Sequence, residues 1–445
     1  MHKFLKILNF TDDEIITFKS EIDRLQNILK LDFISLDKAQ KNVSENFDLS
    51  FNSIRLLLKE LLLVILKDFK LLQSGEKEVI QMAIPMPNVV AAVINDLNPK
   101  KHITSSEYLI IYLSGILFNS YIKNEEEEKS YNCNSCGLNL SRQALYEDKN
   151  YLIPDGILSC MSYCDELHTT GEILRVNYDV NHYNYSIVNE SSAENRISYL
   201  SNCIKNLIIE HSNNQNDNIE EVLKKYNNKR LEIKLLLGQI NRIVAREKNA
   251  YVTFNEISLL NIFNLIHFDN MYEKAKIILN LFIKELKSKI RENDYIIENP
   301  IRLGCLHLPF TDPVGDRVFI KNGAAVIISS MYDGKVGNRS YHDEYERCII
   351  PYLQKGSFGS IKEVGASIDY IIEKYVLDGF LFGQFEGDLA LANFQPLIAD
   401  NLFHKEKAYF ILTQNWNKMD QHYYTKIENL VEVIKQRKEK NSCEY

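Results

Sequence analysis

The chain has 445 residues, 45% of them hydrophobic and 25% charged, with only 9 Pro and 17 Gly; that balance belongs to a globular protein with more than one core and excludes a wholly disordered or fibrous chain. Its 52 Lys and Arg face 60 Asp and Glu, a net charge of −8, which argues against bulk nucleic-acid binding while leaving room for a local basic pocket. No secretory signal opens the chain and no apolar run approaches the ~20 residues of a spanning helix, so the expectation is a cytoplasmic protein with no membrane segment, whose eight cysteines serve as thiols or metal ligands rather than disulfides.

Thr11-Asp12-Asp13-Glu14 has the Thr-x-x-Glu pattern that starts a helix. From there to Leu72 apolar residues recur at three and four, and Leu61–Leu66 is boxed in by Lys59-Glu60 and Lys67-Asp68, which predicts a helical N-terminal region over 1–74. Past Ser74-Gly75, Glu78–Ile84 reads as a buried strand stopped by Pro85 and Pro87, followed by helices over Val89–Ile94 and Ser105–Ile122, the second capped by Thr104 or Ser105. The run Glu125–Glu128 is a solvated loop, Gly156–Ser159 is strand-like after Pro154-Asp155, and polar residues crowd Tyr178–Glu194; residues 75–195 form a first α/β domain. Ala193–Arg291 is helical with a loop at Asn213–Asn218, a linking or capping section over 196–298.

From 299 to 445 strands alternate with helices. The strands are Ile301–Leu306, Ala324–Ser329, Gly379–Gly383 and Ala408–Leu412; the helices are Asp316–Asn322 (ended by Gly323), Gly359–Tyr375, Ala390–Leu402 and Thr425–Arg437. Such alternation predicts an α/β fold: two parallel-sheet domains of Rossmann or flavodoxin-like type, with a helical N-terminal region and a helical middle section. Active groups in parallel sheets sit beyond the carboxyl ends of the strands. That rule singles out the loops Pro85–Val89, Ser159–His168, Pro309–Asp316, Met331–Arg339, Gln384–Asp388 and Thr413–Asp420.

Four of the eight cysteines fall in one stretch, as Cys133-Asn-Ser-Cys136 and Cys160-Met-Ser-Tyr-Cys164. Thiolates two or three residues apart reach one metal centre from a single turn, and they suit zinc and iron–sulfur clusters alike; spacing alone does not choose between them, and buried inert thiols are the bland alternative. Cys203, Cys305, Cys348 and Cys443 read as packing or surface residues. His307 ends the Ile301 strand and Arg339 lies on a carboxyl-end loop, which makes them candidates to face substrate, Arg339 toward a phosphate. Asp312, Asp316 and Arg317 occupy the same loops; His168, close behind the Cys164-Asp165 pair, is placed to be a ligand or proton donor, but a histidine so placed is more often a helix-surface or capping residue. No G-x-x-x-x-G-K-[ST] loop, no strand-led G-x-G-x-x-G and no G-x-S-x-G elbow is present, which disfavours ATP hydrolysis, a nicotinamide dehydrogenase and an α/β-hydrolase.

The order of these segments resembles the D-component subunits of the 2-hydroxyacyl-CoA dehydratase family, which includes benzoyl-CoA reductase subunits. The resemblance runs through EVIQMAIPMPNVVAAVINDL (Glu78–Leu97), the segment from Cys136 to Arg142, PDGILSCMSYCDEL (Pro154–Leu167) and the later segments Ile301–Ile328 and Val376–Leu402. It implies a [4Fe-4S] cluster between two α/β domains, with Cys136 and Cys164 as ligands, a homologous second subunit in a heterodimer, and a separate ATP-dependent iron–sulfur activator protein. The implied chemistry is an oxygen-sensitive, anaerobic lyase reaction, dehydration of an acyl-CoA or similar thioester through a ketyl radical, or reduction of an aromatic thioester. The family's third cysteine should follow the strand at Asp378–Phe382, where this chain has Gly383-Gln-Phe-Glu386-Gly-Asp388. Glu386 or Asp388 from this loop, or Cys133 or Cys160 from the first domain, is left to complete the ligand set. The alternatives are a non-catalytic, scaffold-like paralogue paired with a cluster-bearing partner, and a protein whose cysteines hold structural zinc.

Overall fold

The computed structural model describes residues 1–84, 87–120, 122, 137–160, 165–185, 193–213, 218–306, 314–329, 341–353, 361–385, 396, 398–399, 408–414 and 421–443. Five helices open the chain: α1 (His2–Ile7), α2 (Asp12–Thr17), α3 (Lys19–Ile28), α4 (Phe33–Asn46) and α5 (Asn52–Ser74). Thr11 and Glu14 close the expected capping box at α2, and Gly75 ends α5 in the left-handed region at φ 63°, where a residue without Cβ is unstrained. Helix α5 is buried along most of its length, between α3, α7 (Ser106–Ile116), α13 (Met271–Glu292) and the first sheet. Among the described residues no helix is long and apolar enough to cross a membrane.

The first sheet holds β1 (Glu78–Met82), β2 (Lys101–Thr104), β3 (Gly156–Cys160) and β4 (Asn181–Tyr185), all parallel, in the order β2-β1-β3-β4. Helices α6 (Asn88–Leu97), α7, α8 (Gly137–Glu147) and α9 (Asp165–Tyr178) connect them. The second sheet holds β5 (Ile301–Leu306), β6 (Ala324–Ser329), β7 (Gly379–Phe385) and β8 (Ala408–Gln414) in the order β6-β5-β7-β8, again all parallel. The two sheets therefore share one order: second, first, third, fourth.

They share a local device as well. Asp155, just before β3, accepts the Val79 N–H of β1 at 2.7 Å, and its own N–H reaches the Val79 carbonyl at 2.9 Å. Asp378, just before β7, does the same to Arg302 of β5, at 2.8 Å in both directions. Each aspartate is followed by a glycine, so one Asp-Gly step sets the register of the third strand against the first in both sheets.

Between the sheets lie α10 (Ala193–His211), α11 (Ile219–Arg246), α12 (Phe254–Asn261) and α13. The expected continuous helical section is broken after Arg246 and after Asn261, where the second helix of the pair α12–α13 is preceded by a short 3-10 turn, Ile262–Asn264. Helices α14 (Val314–Lys321), α15 (Glu344–Leu353), α16 (Ile361–Tyr375) and α17 (Gln421–Cys443) complete the second half. The α/β architecture with helical N-terminal and middle sections is as the residue pattern predicts.

Two details differ from expectation. Strands β2 and β4 carry no apolar alternation strong enough to be read from sequence, and both are edge strands of the first sheet. Helix α7 ends at Ile116, and Ser105 sits at its N-cap without capping it. The Ser105 hydroxyl accepts the His267 N–H instead, at 3.2 Å, and Gln81 reaches across from β1 to accept the Glu107 N–H at 3.0 Å.

One large apolar cluster joins the N-terminal helices, α5, α7, α12, α13 and the second sheet. A smaller one covers the other face of the first sheet, where Ile80, Met82, Ile103 and Leu158 meet α6, α10 and α15. Successive side chains in a strand point to opposite faces, so Gln81, Ser159, Thr104 and His102 share the face opposite to that smaller cluster.

Candidate functional site

Polar groups gather on this one face of the first sheet. Helix α7 brings Glu107 under it, and α8 brings Arg142; both are buried, and Arg142 Nε donates to Glu107 Oε1. Tyr146 donates to Glu107 Oε2 at 3.0 Å. Burial works against the Arg142 cation, but the Glu107 carboxylate outweighs it and holds the guanidinium above its ordinary value. Among the described residues Arg142 Nη1 and the Tyr151 hydroxyl, also buried here, have no hydrogen-bond partner. The arginine that the resemblance places on a cysteine-led helix is thus committed to fastening α8 to α7.

Farther along the face, β4 and α9 build a second group. His182 is the second residue of β4, paired with Ile157. Its ring lies under α9, where a Cβ on Gly171 would come within 2.5 Å of Nε2; a glycine is required there so the ring has space. Nε2 of His182 is 2.6 Å from the Ser159 hydroxyl and Nδ1 is 2.6 Å from Glu172 Oε1. Arg175 donates to Glu172 Oε2 at 2.9 Å. His168, one turn before Glu172 on α9, places its ring centroid 5.4 Å from that of His182. Its Nδ1 is buried with no hydrogen-bond partner among the described residues. Burial pulls the His182 imidazole below its ordinary value against the pull of Glu172, and the nearby His168 and Arg142 add to the lowering.

Ser159, His182 and Glu172 have the connectivity of a nucleophile, a base and its orienting acid. Ser159 is nevertheless 0% exposed and lies inside β3, so no substrate reaches its oxygen. The arrangement suits a hydrogen-bonded relay or a set of metal donors, not acyl transfer.

A third polar pair, His102 of β2 with Asp68 of α5 at 2.8 Å, is buried behind a cavity of about 360 Å³ lined by Lys67, Lys70, Asp269 and Lys274 among others. Burial lowers the His102 value, yet the Asp68 hydrogen bond and charge, with help from Asp269, leave it raised overall.

Of the residues singled out by sequence, Cys133, Cys136, Cys164, His307, Arg339 and Glu386 lie outside the described residues, as do Asp312 and Asp388. Cys160 is the last residue of β3, with its side chain outside the description. Helix α8 begins one residue after Cys136 and α9 one residue after Cys164. Cys305 and Cys348 are fully buried, as expected of packing residues, and burial pushes the Cys348 thiol up to about 11.

Asp316 and Arg317 are corrections to the expected cleft loops. Asp316 lies in α14, 1% exposed, and accepts the Asn255 N–H at 2.9 Å; Arg317 pairs with Glu45 of α4 at 2.8 Å. His168, for which the sequence left both a ligand or proton-donor role and a helix-surface one, is half-buried with its ring beside that of His182. Glu172 and His182 went unnoticed in the sequence. The available signal was the His168-x-x-x-Glu172 spacing, which puts both on one helix face. No family model and no curated protein matches the chain.

Proposed function

We propose that the chain is a subunit of a 2-hydroxyacyl-CoA dehydratase-like iron–sulfur enzyme that acts on an acyl thioester, works beside a homologous subunit and receives its electron from a separate ATP-hydrolysing activator. The supporting observation is a twin-sheet scaffold in which both halves have the same parallel order and two neighbouring helices of the first half, α8 and α9, each begin directly after a cysteine. Thiols at helix N-termini ionise more readily, because the helix dipole favours the anion. The donor set Cys133, Cys136, Cys160 and Cys164 fits a four-thiolate cluster, and it fits zinc equally. When bound, the cluster supplies one-electron reduction of the thioester carbonyl. The chain's own part would be to supply the thiolates from the segments that precede α8 and α9, with the buried Arg142–Glu107 pair locking α8 to α7.

A second reading, a cluster-free subunit that supports a catalytic partner, rests on one observation: there is no cysteine between Cys348 and Cys443, so the loops beyond β7 and β8 offer no thiolate. Strictly anaerobic purification followed by iron, sulfide and zinc analysis separates these readings. About four irons and four sulfides per chain, with a brown colour lost in Cys136→Ser and Cys164→Ser, is the expected result. Colourless protein with one zinc at the cysteines assigns them to folding, and protein with no cysteine-bound metal leaves the supporting subunit.

A further inference from the structure

We propose that His168, Glu172 and His182 form a second, cysteine-independent site for a divalent transition-metal ion of the zinc class. One donor atom from each of the three residues lies within 4.8 Å of the others. His168 and Glu172 stand one turn apart on α9, and His182 comes from β4, so two elements converge on one point. The combination of two imidazoles and one carboxylate is a common set for zinc and related ions, and three protein donors leave a further position for water.

Two features of the surroundings point to a ligand rather than a plain ion pair. His168 Nδ1 is buried and has no hydrogen-bond partner among the described residues, which costs free energy unless something meets it. His182 has its second nitrogen on the Ser159 hydroxyl at 2.6 Å, the outer contact that fixes the tautomer and aims the other nitrogen at an ion. Nδ1 then faces Glu172 Oε1 at 2.6 Å, a separation that holds a proton. An ion replaces that proton, and bonds of ~2.0–2.1 Å at tetrahedral angles set the two donors roughly 3.3 Å apart. Glu172 is 40% exposed in its side chain, so it has room to make that small retreat, and an ion has a way in. The proton displaced from Nδ1 moves to Nε2, where it donates to the Ser159 hydroxyl, so the imidazole stays neutral and the proton is accounted for within the site. Arg175, on the other Glu172 oxygen at 2.9 Å, stays as its outer partner.

The test is a Co²⁺ titration of the full-length chain under anaerobic, reduced conditions, read in the visible and near-ultraviolet. Cobalt at this site gives ligand-field bands without sulfur-to-cobalt charge transfer, whereas cobalt at the cysteines brings the charge-transfer absorption. The expected result is a cobalt ion without thiolate bands, with His168→Asn and Glu172→Gln each weakening it about tenfold or more while circular dichroism is unchanged. Cobalt bound only with thiolate bands, or bound equally well by both variants, overturns the proposal and leaves a hydrogen-bonded relay. The outcome is independent of iron and sulfide content, so it stands or falls separately from the cluster reading.

Discussion

The two sheets have the same strand order and the same aspartate device, yet their interiors are chemically opposite. In the second, Leu303, Cys305, Val326, Ile328, Phe380 and Phe382 are all buried and apolar. In the first, Gln81, His102, Thr104 and Ser159 are buried in the strands, with Glu107 and Arg142 beneath them. Topology therefore does not decide where chemistry sits. A parallel sheet buried on both faces normally wants continuous apolar strands, and each polar group buried without a partner costs free energy. Three of the four strand residues are paired, Gln81 with Ser106 and Glu107, His102 with Asp68 and Ser159 with His182, while the Thr104 hydroxyl has no hydrogen-bond partner among the described residues.

The sharpest way to break the comparison is to remove one member of a first-sheet pair. Glu107→Ala leaves Arg142 buried and uncompensated, and the expected loss is about 3–5 kcal/mol in urea unfolding. Replacing both, as Glu107→Leu with Arg142→Leu, should recover most of that loss, since a packed apolar pair matches a buried ion pair. In the second sheet Ile327→Val should cost only about 0.5–1.5 kcal/mol. A Glu107→Ala loss no larger than the Ile327→Val loss would show that the polar face is incidental to stability.

One buried carboxyl breaks the apolar rule on the second-sheet side. Asp316 of α14 is raised to about 7 by burial, with the neighbouring Glu256 adding to it against the Asn255 and Thr253 hydrogen bonds. Its folded value lies above its unfolded one, so its contribution is fully present below about pH 4 and is lost as pH rises through about 7. Over that window the stability of the parent should fall by up to about 1.4 kcal/mol per pH unit. Asp316→Asn removes this component, and the pH dependence of the unfolding midpoint should flatten. An unchanged slope would mean that Asp316 is already ionised and solvated.

The same contrast explains what was legible in the sequence. Strands β5, β6 and β7 announce themselves as apolar runs because their partners are apolar. The edge strands β2 (Lys-His-Ile-Thr) and β4 (Asn-His-Tyr-Asn-Tyr) do not, because their side chains are matched by distant ones: Lys101 by Glu78, His102 by Asp68, His182 by Ser159 and Glu172. Such pairing is invisible until the strand order is known. The site suffers in the same way. His168 could be seen beside the cysteine stretch, but its meeting with His182 depends on a strand the pattern did not show. The glycine that makes space for that ring, Gly171, reads in sequence only as a flaw in a helix.

The smallest effect tests whether the two halves are equivalent where they look alike. Asp155 and Asp378 each bind the N–H of the second residue of a first strand, at 2.7 Å and 2.8 Å. A hydrogen bond to a charged acceptor contributes about 1.5–3 kcal/mol when buried, and less here because Asp155 is exposed. Asp155→Ala and Asp378→Ala are each expected to cost about 1 kcal/mol, measured by chemical denaturation. Asp378 also pairs with Lys438 of α17 at 2.7 Å, a half-exposed contact worth little, so Lys438→Ala should change stability by less than about 0.5 kcal/mol. If Asp378→Ala costs much more than Asp155→Ala and Lys438→Ala accounts for the excess, the second aspartate mainly anchors the closing helix. Equal costs, with Lys438→Ala silent, identify the Asp-Gly step as a register lock used twice in one chain, with the polar chemistry built onto only one of its two copies.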